Sequence, residues 1–121
     1  MLDSNIIIYS SLPDREPLRN WLLEQELYVS EISRLEVLGY HRIKPSDINY
    51  FENFFNLSNG YSISEEVISN AIHLRRQKSM SIGDSIIAST SLLYNLVLLT
   101  SNVKDFKHLD TLELLDLHDF K

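Results

Sequence analysis

The chain has 121 residues, 44% of them hydrophobic and 23% charged, which is enough for one domain with a real core and unlike a disordered tract. The absence of cysteine excludes disulfides, iron–sulfur clusters and thiolate zinc sites, and it suits a reducing cytoplasm. A net charge of −6 argues against wide electrostatic coverage of a phosphate backbone, although local basic patches can override the total.

The spacing of apolar residues predicts alternating strands and helices. A short strand is expected near Leu2–Ile6, then a helix around Arg15–Gln25, with Leu18, Trp21, Leu22 and Gln25 at helical spacing. Leu27–Ser30 reads as a strand and Ser33 to Ile43 as a helix. "SDINYFENFFNLS" is a helix opened by Ser46 as N-cap, and Gly60–Ile63 a short strand. "SEEVISNAIHLRRQK" is a helix capped by Ser64, with acids in its first turn where the helix dipole favours them. "GDSIIASTSLLYN" is a helix, Leu96–Ser101 a buried strand, and "TLELLDL" the last strand. With three Gly and three Pro, the loops are short. Alternation of this kind implies a mostly parallel sheet with helices on both faces, and ligands in such folds bind beyond the carboxyl ends of the strands. The apolar runs "NIIIY" and "LVLL" are too short to span a membrane, and no Lys or Arg precedes the first, so no secretory signal is expected.

Four carboxylates interrupt apolar patterns. Asp3 sits at the end of the first strand, and Glu36 joins the helical stripe Ile32, Leu35, Gly39, Ile43. Asp84 begins a helix that is apolar almost all round, sharing a face with Ile87, Ala88 and Ser91. Asp105 follows the buried strand in "SNVKDF". Each has a local explanation. Ser33-x-x-Glu36 fits a capping box, Ser81-x-x-Asp84 its looser form, Asn102 can cap a turn ending at Asp105, and Asp3 can turn back on the amide of Asn5. Capping, however, does not require convergence, and a parallel sheet puts Asp3, Glu36 and Asp105 beyond strand ends on one edge. Two like charges at about 4 Å cost roughly 4 kcal/mol at an effective dielectric of about 20. A hard divalent cation removes that cost, and all-oxygen ligands select magnesium or manganese. Such ions also bind phosphates, which points to phosphodiester chemistry.

The remaining features are less specific. The basic clusters His41–Lys44 and His73–Lys78 read as solvated helix ends, with a substrate or partner rim as the sharper alternative. His41, His73, His108 and His118 show no pair at helical metal spacing and read as surface or cap residues. Trp21, Tyr50, Phe51, Phe54 and Phe55 are core residues or an exposed apolar patch for a partner, with base stacking as the alternative. A phosphoacceptor receiver lacks its lysine after the last strand here, and a haloacid-dehalogenase-type phosphatase lacks its Asp-x-Asp.

"LDSNIIIY", "SRLEVLGY" and "IGDSIIASTSLLYNLVLLTSNVKDF" resemble, in order and in wording, the motifs of the PIN domain, most closely the VapC-like toxins of bacterial toxin–antitoxin pairs. The resemblance runs from residue 2 to about residue 116. It implies a single PIN-like domain over 1–121, built as a three-layer α/β/α sandwich around a central, mostly parallel sheet of four to five strands. It implies a ribonuclease dependent on one or two magnesium or manganese ions, with Asp3, Glu36, Asp84 and Asp105 as catalytic metal ligands. Ser4, Asn5, Thr100 and Asn102 are implied to orient ligands or substrate oxygens. It implies RNA as substrate, a second copy as a dimer partner, a cognate antitoxin and a cytoplasmic location. The sequence departs from the family at Asn102, where members often have an acid, and at its start, where only Met1 and Leu2 precede Asp3. A PIN fold without nuclease activity, serving as a binding module, and a solitary RNA-processing nuclease are the alternatives.

Overall fold

The apolar residues at the start of the chain pair into a sheet that the rest of the chain completes. In the computed structural model, which describes residues 1–119, Leu2 bridges Leu99 in parallel. The Leu2 amide donates to the Tyr28 carbonyl (3.0 Å), the Asp3 amide to Leu99 (3.0 Å) and the Leu99 amide to Met1 (2.9 Å). β1 (Tyr28–Ser30) pairs in parallel with β2 (Asn59–Tyr61), and β3 (Leu98–Thr100) pairs in parallel with β4 (Leu114–Asp116). The extended Met1–Asp3 segment lies between these pairs, giving the lateral order β2, β1, N-terminal segment, β3, β4. Four short strands and this segment make the expected parallel sheet.

Side chains alternate across the sheet with period two. Leu2 and Leu99 join one core with Ile6, Leu18, Val29 and Phe51; Met1 and Leu98 join another with Leu74, Ile87 and Phe106. The first core is covered by α1 (Ser4–Ser10), α2 (Glu16–Leu23) and α4 (Pro45–Leu57), the second by α5 (Glu65–Gln77) and α6 (Ile82–Leu93). Between them, α3 (Glu31–Leu38) packs on α1, α4 and α6. The architecture is the three-layer α/β/α sandwich expected from the sequence. Burying a side chain such as Ile6 or Ile7 contributes roughly 1.5–3 kcal/mol, and both are fully enclosed.

Several boundaries differ from the sequence reading. The first strand ends at Asp3, because the Ile6 amide turns back to the Asp3 carbonyl (3.0 Å) and α1 begins. Isoleucine favours strands, but in α1 the helical turn buries Ile6, Ile7 and Ser10 together, and packing overrides propensity. α3 starts earlier than Ser33, since the Ser30 side chain caps it by accepting from the Ile32 amide (3.2 Å). It ends at Leu38 before Gly39, so His41, Arg42 and Lys44 lie in the exposed connection to α4. Pro45, with its φ preset for a first turn, opens α4 in place of a Ser46 cap. Ser64 and Ser81 cap α5 and α6 as expected, accepting from Val67 and Asp84 amides, each at 3.1 Å. Phe120 and Lys121, the last positions of the expected 1–121 domain, lie outside the described residues. No described helix is long and apolar enough to cross a membrane.

Candidate active site

Parallel pairing brings Asp3 and Thr100 side by side at the carboxyl ends of neighbouring strands. Thr100 Oγ1 donates to Asp3 Oδ2 at 2.8 Å, and the Asn102 amide donates back to Thr100 Oγ1 at 3.0 Å. Asp3 itself is buried, and burial pushes its pKa above the ordinary 3.8. The Thr100 hydroxyl and the Ser4 amide oppose that rise, while the charges of Glu36 and Asp105 add to it.

One residue further, α1 starts with Ser4. Its hydroxyl donates to Glu36 Oε1 (2.8 Å) and lies 2.9 Å from Ser33 Oγ, so two elements far apart in sequence are tied at their first turns. Ser33 is therefore an interior residue of α3, not the cap of a box with Glu36. The inward stripe also differs from the one expected: Ser33 and Val37 are buried while Leu35 is 67% exposed, and Glu36 stands at the margin where it can reach Ser4.

Glu36 in turn abuts the start of α6. A methyl group at Gly83 would lie 2.9 Å from Glu36 Oε2 and 3.1 Å from Oε1, so the glycine leaves room for this carboxylate beside Asp84. Asp84 is half-buried, which is the main cause of its raised pKa; the negative charge of Asp3 comes next, and Asp105 adds to it. Ser81 opposes the rise through a hydrogen bond. Asp105 closes the short turn after β3, its amide donating to the Asn102 carbonyl at 3.0 Å. The side chains of Asn5 and Asn102 make no hydrogen bond among the described residues, so Asn102 acts through its amide rather than as the expected side-chain cap.

Four carboxylates from four separate stretches of chain thus lie in one another's field, two of them within a cleft of about 420 Å³ lined by Lys78, Ser81, Asp84, Lys104 and Asp105. As arranged, no three acids or histidines among the described residues stand close enough to grip one ion. The donor chemistry still fits a hard cation: carboxylates and hydroxyls, no imidazole in the cleft, and neighbouring negative charge that adds to the burial-raised pKa values of Asp3 and Asp84.

Sequence reasoning missed Gly83 and read Ser33 only as a cap, not as a partner of Ser4. Gly83 had a signal, a glycine inside an apolar helix start, where close approach of another group is a common reason. His108 departs from the surface role expected of it, since both ring nitrogens are buried without a partner among the described residues. The aromatic cluster is divided. Phe51 and Phe55 are core, while Tyr50 and Phe54 line a groove of about 440 Å³ between α2 and α4 with Leu22, Leu23, Leu27 and Leu57. That groove shares no lining residue with the acidic cleft.

The PIN domain family model matches residues 1–112. The fold is similar to that of VapBC from Salmonella typhimurium bound to DNA, at 18% identity and TM-score 0.81 over 96% of each chain. VapBC2 from Rickettsia felis, bound to a promoter DNA fragment, matches at 22% identity and TM-score 0.80 over 96% of each chain. A toxin–antitoxin complex from Klebsiella pneumoniae matches at 24% identity and TM-score 0.76, over 94% of this chain and 93% of that one. No curated protein matches the chain significantly.

Proposed function

The chain belongs to the PIN domain family, and from that premise we propose that it is a metal-dependent endoribonuclease acting as the toxin of a toxin–antitoxin pair. The observation that supports this most is the meeting of Asp3, Glu36, Asp84 and Asp105 at one edge of the sheet, tied by Thr100 and Ser4. Local capping explains any one of these acids; it does not explain a hydroxyl spent on holding each of two carboxylates beside the others.

In this reading Asp3, Glu36, Asp84 and Asp105 would hold one or two magnesium or manganese ions, directly or through water. When bound, such a cation supplies neutralising charge, lowers the pKa of an attacking water and stabilises the leaving 3′ oxygen. The chain's own part is positioning. Thr100 fixes the Asp3 carboxylate, Ser4 fixes Glu36, and the Ser81 cap fixes the first turn of α6 that carries Asp84. Burial of Asp3 limits its exposure to bulk solvent.

The partner we propose is a cognate antitoxin, as in the solved complexes of similar fold. Its segment would lie in the apolar groove between α2 and α4, where Leu23 and Leu57 are 78% and 82% exposed. A second copy of the chain is the other expected partner, and the chain as a whole is taken as one domain. The test is direct: Asp3→Asn and Asp84→Asn should each abolish manganese-dependent RNA cleavage, with circular dichroism unchanged. Full activity in either variant would sink the assignment.

A further inference from the structure

The acidic cleft carries two positive charges that the fold does not consume. Lys78 enters it from the connection between α5 and α6, and Lys104 from the turn after β3; Asp84 and Asp105 share the same lining. Had these lysines served to balance the acids, ion pairs would be expected. The salt bridges among the described residues are Arg34–Glu31 and His118–Asp116, and neither lysine makes a side-chain hydrogen bond there.

Both lysines sit on anchored backbone. Beyond Lys78, Met80 is buried in the core beneath α6, and Arg75 Nε donates to its carbonyl at 3.1 Å. Ser81 then caps α6. The turn carrying Lys104 is closed by the Phe106 amide on the Val103 carbonyl (3.0 Å), and Phe106 is fully buried. The stems are therefore rooted while the ammonium ends remain exposed to solvent.

We propose that Lys78 and Lys104 hold the RNA strand across the cleft, each binding a phosphate that flanks the one cleaved. The inference rests on the ribonuclease reading above and adds substrate-holding residues to it. With a net charge of −6, the protein as a whole repels a polyanion, so attraction has to be local. Lysine offers a point charge on a flexible stem, suited to phosphate and blind to base identity. The start of α6 adds the positive end of a helix dipole on the same side of the cleft. Holding through these groups is independent of sequence, so any preference for one RNA arises elsewhere.

The test is cleavage kinetics of the full chain on a random-sequence, single-stranded RNA pool in manganese, over a range of salt. Lys78→Gln and Lys104→Gln should each raise KM about fivefold and leave kcat within about twofold. Each should also flatten the log–log salt slope of kcat/KM by about 0.7. Lys78→Arg and Lys104→Arg should keep the wild-type slope, and Lys44→Gln, at the start of α4, should change nothing. A double Gln variant with the KM and salt slope of an active wild type would overturn the proposal while leaving the nuclease reading standing. A drop confined to kcat would overturn it too. A wild-type chain that cleaves no RNA with any divalent ion would overturn both.

Discussion

Asp3 is a carboxylate that folding removes from water and surrounds with other carboxylates, and that has a thermodynamic signature. Burial foremost, then neighbouring charge, raises the pKa of Asp3 and of Asp84 above 3.8 in the folded chain. An acid with a raised folded pKa binds more protons folded than unfolded. Stability then increases as pH falls through the raised values and is complete below 3.8. In the metal-free protein these two acids should therefore contribute more stability as the pH falls, while the buried Met1 amine, pushed down to about 6, acts in the opposite sense between about pH 8 and 6. Asp116, held below its usual range by His118, also opposes the two acids and only at lower pH. Asp84→Asn should raise the metal-free Tm at pH 7 by more than at low pH, while abolishing cleavage; a Tm difference between variant and wild type that does not change with pH would contradict this account. Manganese should raise the wild-type Tm at pH 7 and do so much less in the variant. Gly83 separates stability from activity in a second way. Alanine in a helix is better than glycine by roughly 0.5–1 kcal/mol. Its methyl group would meet the flexible end of Glu36 rather than backbone. Gly83→Ala should thus melt no lower than wild type yet lose activity, on the order of 10²-fold if Glu36 shifts by about 1 Å. Activity above half of wild type would show that Glu36 needs no such room.

At the scale of elements, the caps report on two different tasks. Ser64 and Ser81 each accept a backbone amide at the start of a helix, but only Ser81 adjoins the cleft. Ser64→Ala should cost about 1 kcal/mol of stability and leave kcat unchanged. Ser81→Ala should cost a similar amount and also reduce kcat, because Asp84 loses its hydrogen bond; chemical denaturation alongside kinetics separates the two. These helix starts were legible in the sequence because a serine followed by acids and an apolar stripe has a local cause. The start of α1 was not legible. Asp3 occupies the N-cap position of α1, yet its side chain makes no capping bond and turns to Thr100 instead. A distant hydroxyl, not the adjacent residues, determines that orientation. The same holds for Glu36. Its heptad-like stripe suggested a face toward the sheet, while a hydroxyl on α1 and a glycine on α6 settle where it points. The residue types of the site, and through the family resemblance the hydroxyls of Ser4 and Thr100, could thus be read from the chain; which carboxylate each hydroxyl holds, and the room left by Gly83, could not, since these are contacts across long sequence separations.

At the scale of the molecule, the acidic cleft and the apolar groove are separate concavities. The acidic cleft is at the carboxyl edge of the sheet, and the apolar groove runs between α2 and α4. Leu23→Asp combined with Leu57→Asp should therefore prevent co-purification with the proposed antitoxin, without lowering RNA cleavage. Undiminished co-purification would remove the groove from consideration. The order of the sheet has a temporal consequence as well. Residues 1–3 form the middle of the sheet, and their partner on one side is residues 97 to 99, with Met1 N reaching the Val97 carbonyl at 2.8 Å. A chain still being synthesised can place Asp3 beside Thr100, 97 positions away in sequence, only once that later segment has been translated. The acidic edge therefore forms together with the long-range fold and not before it.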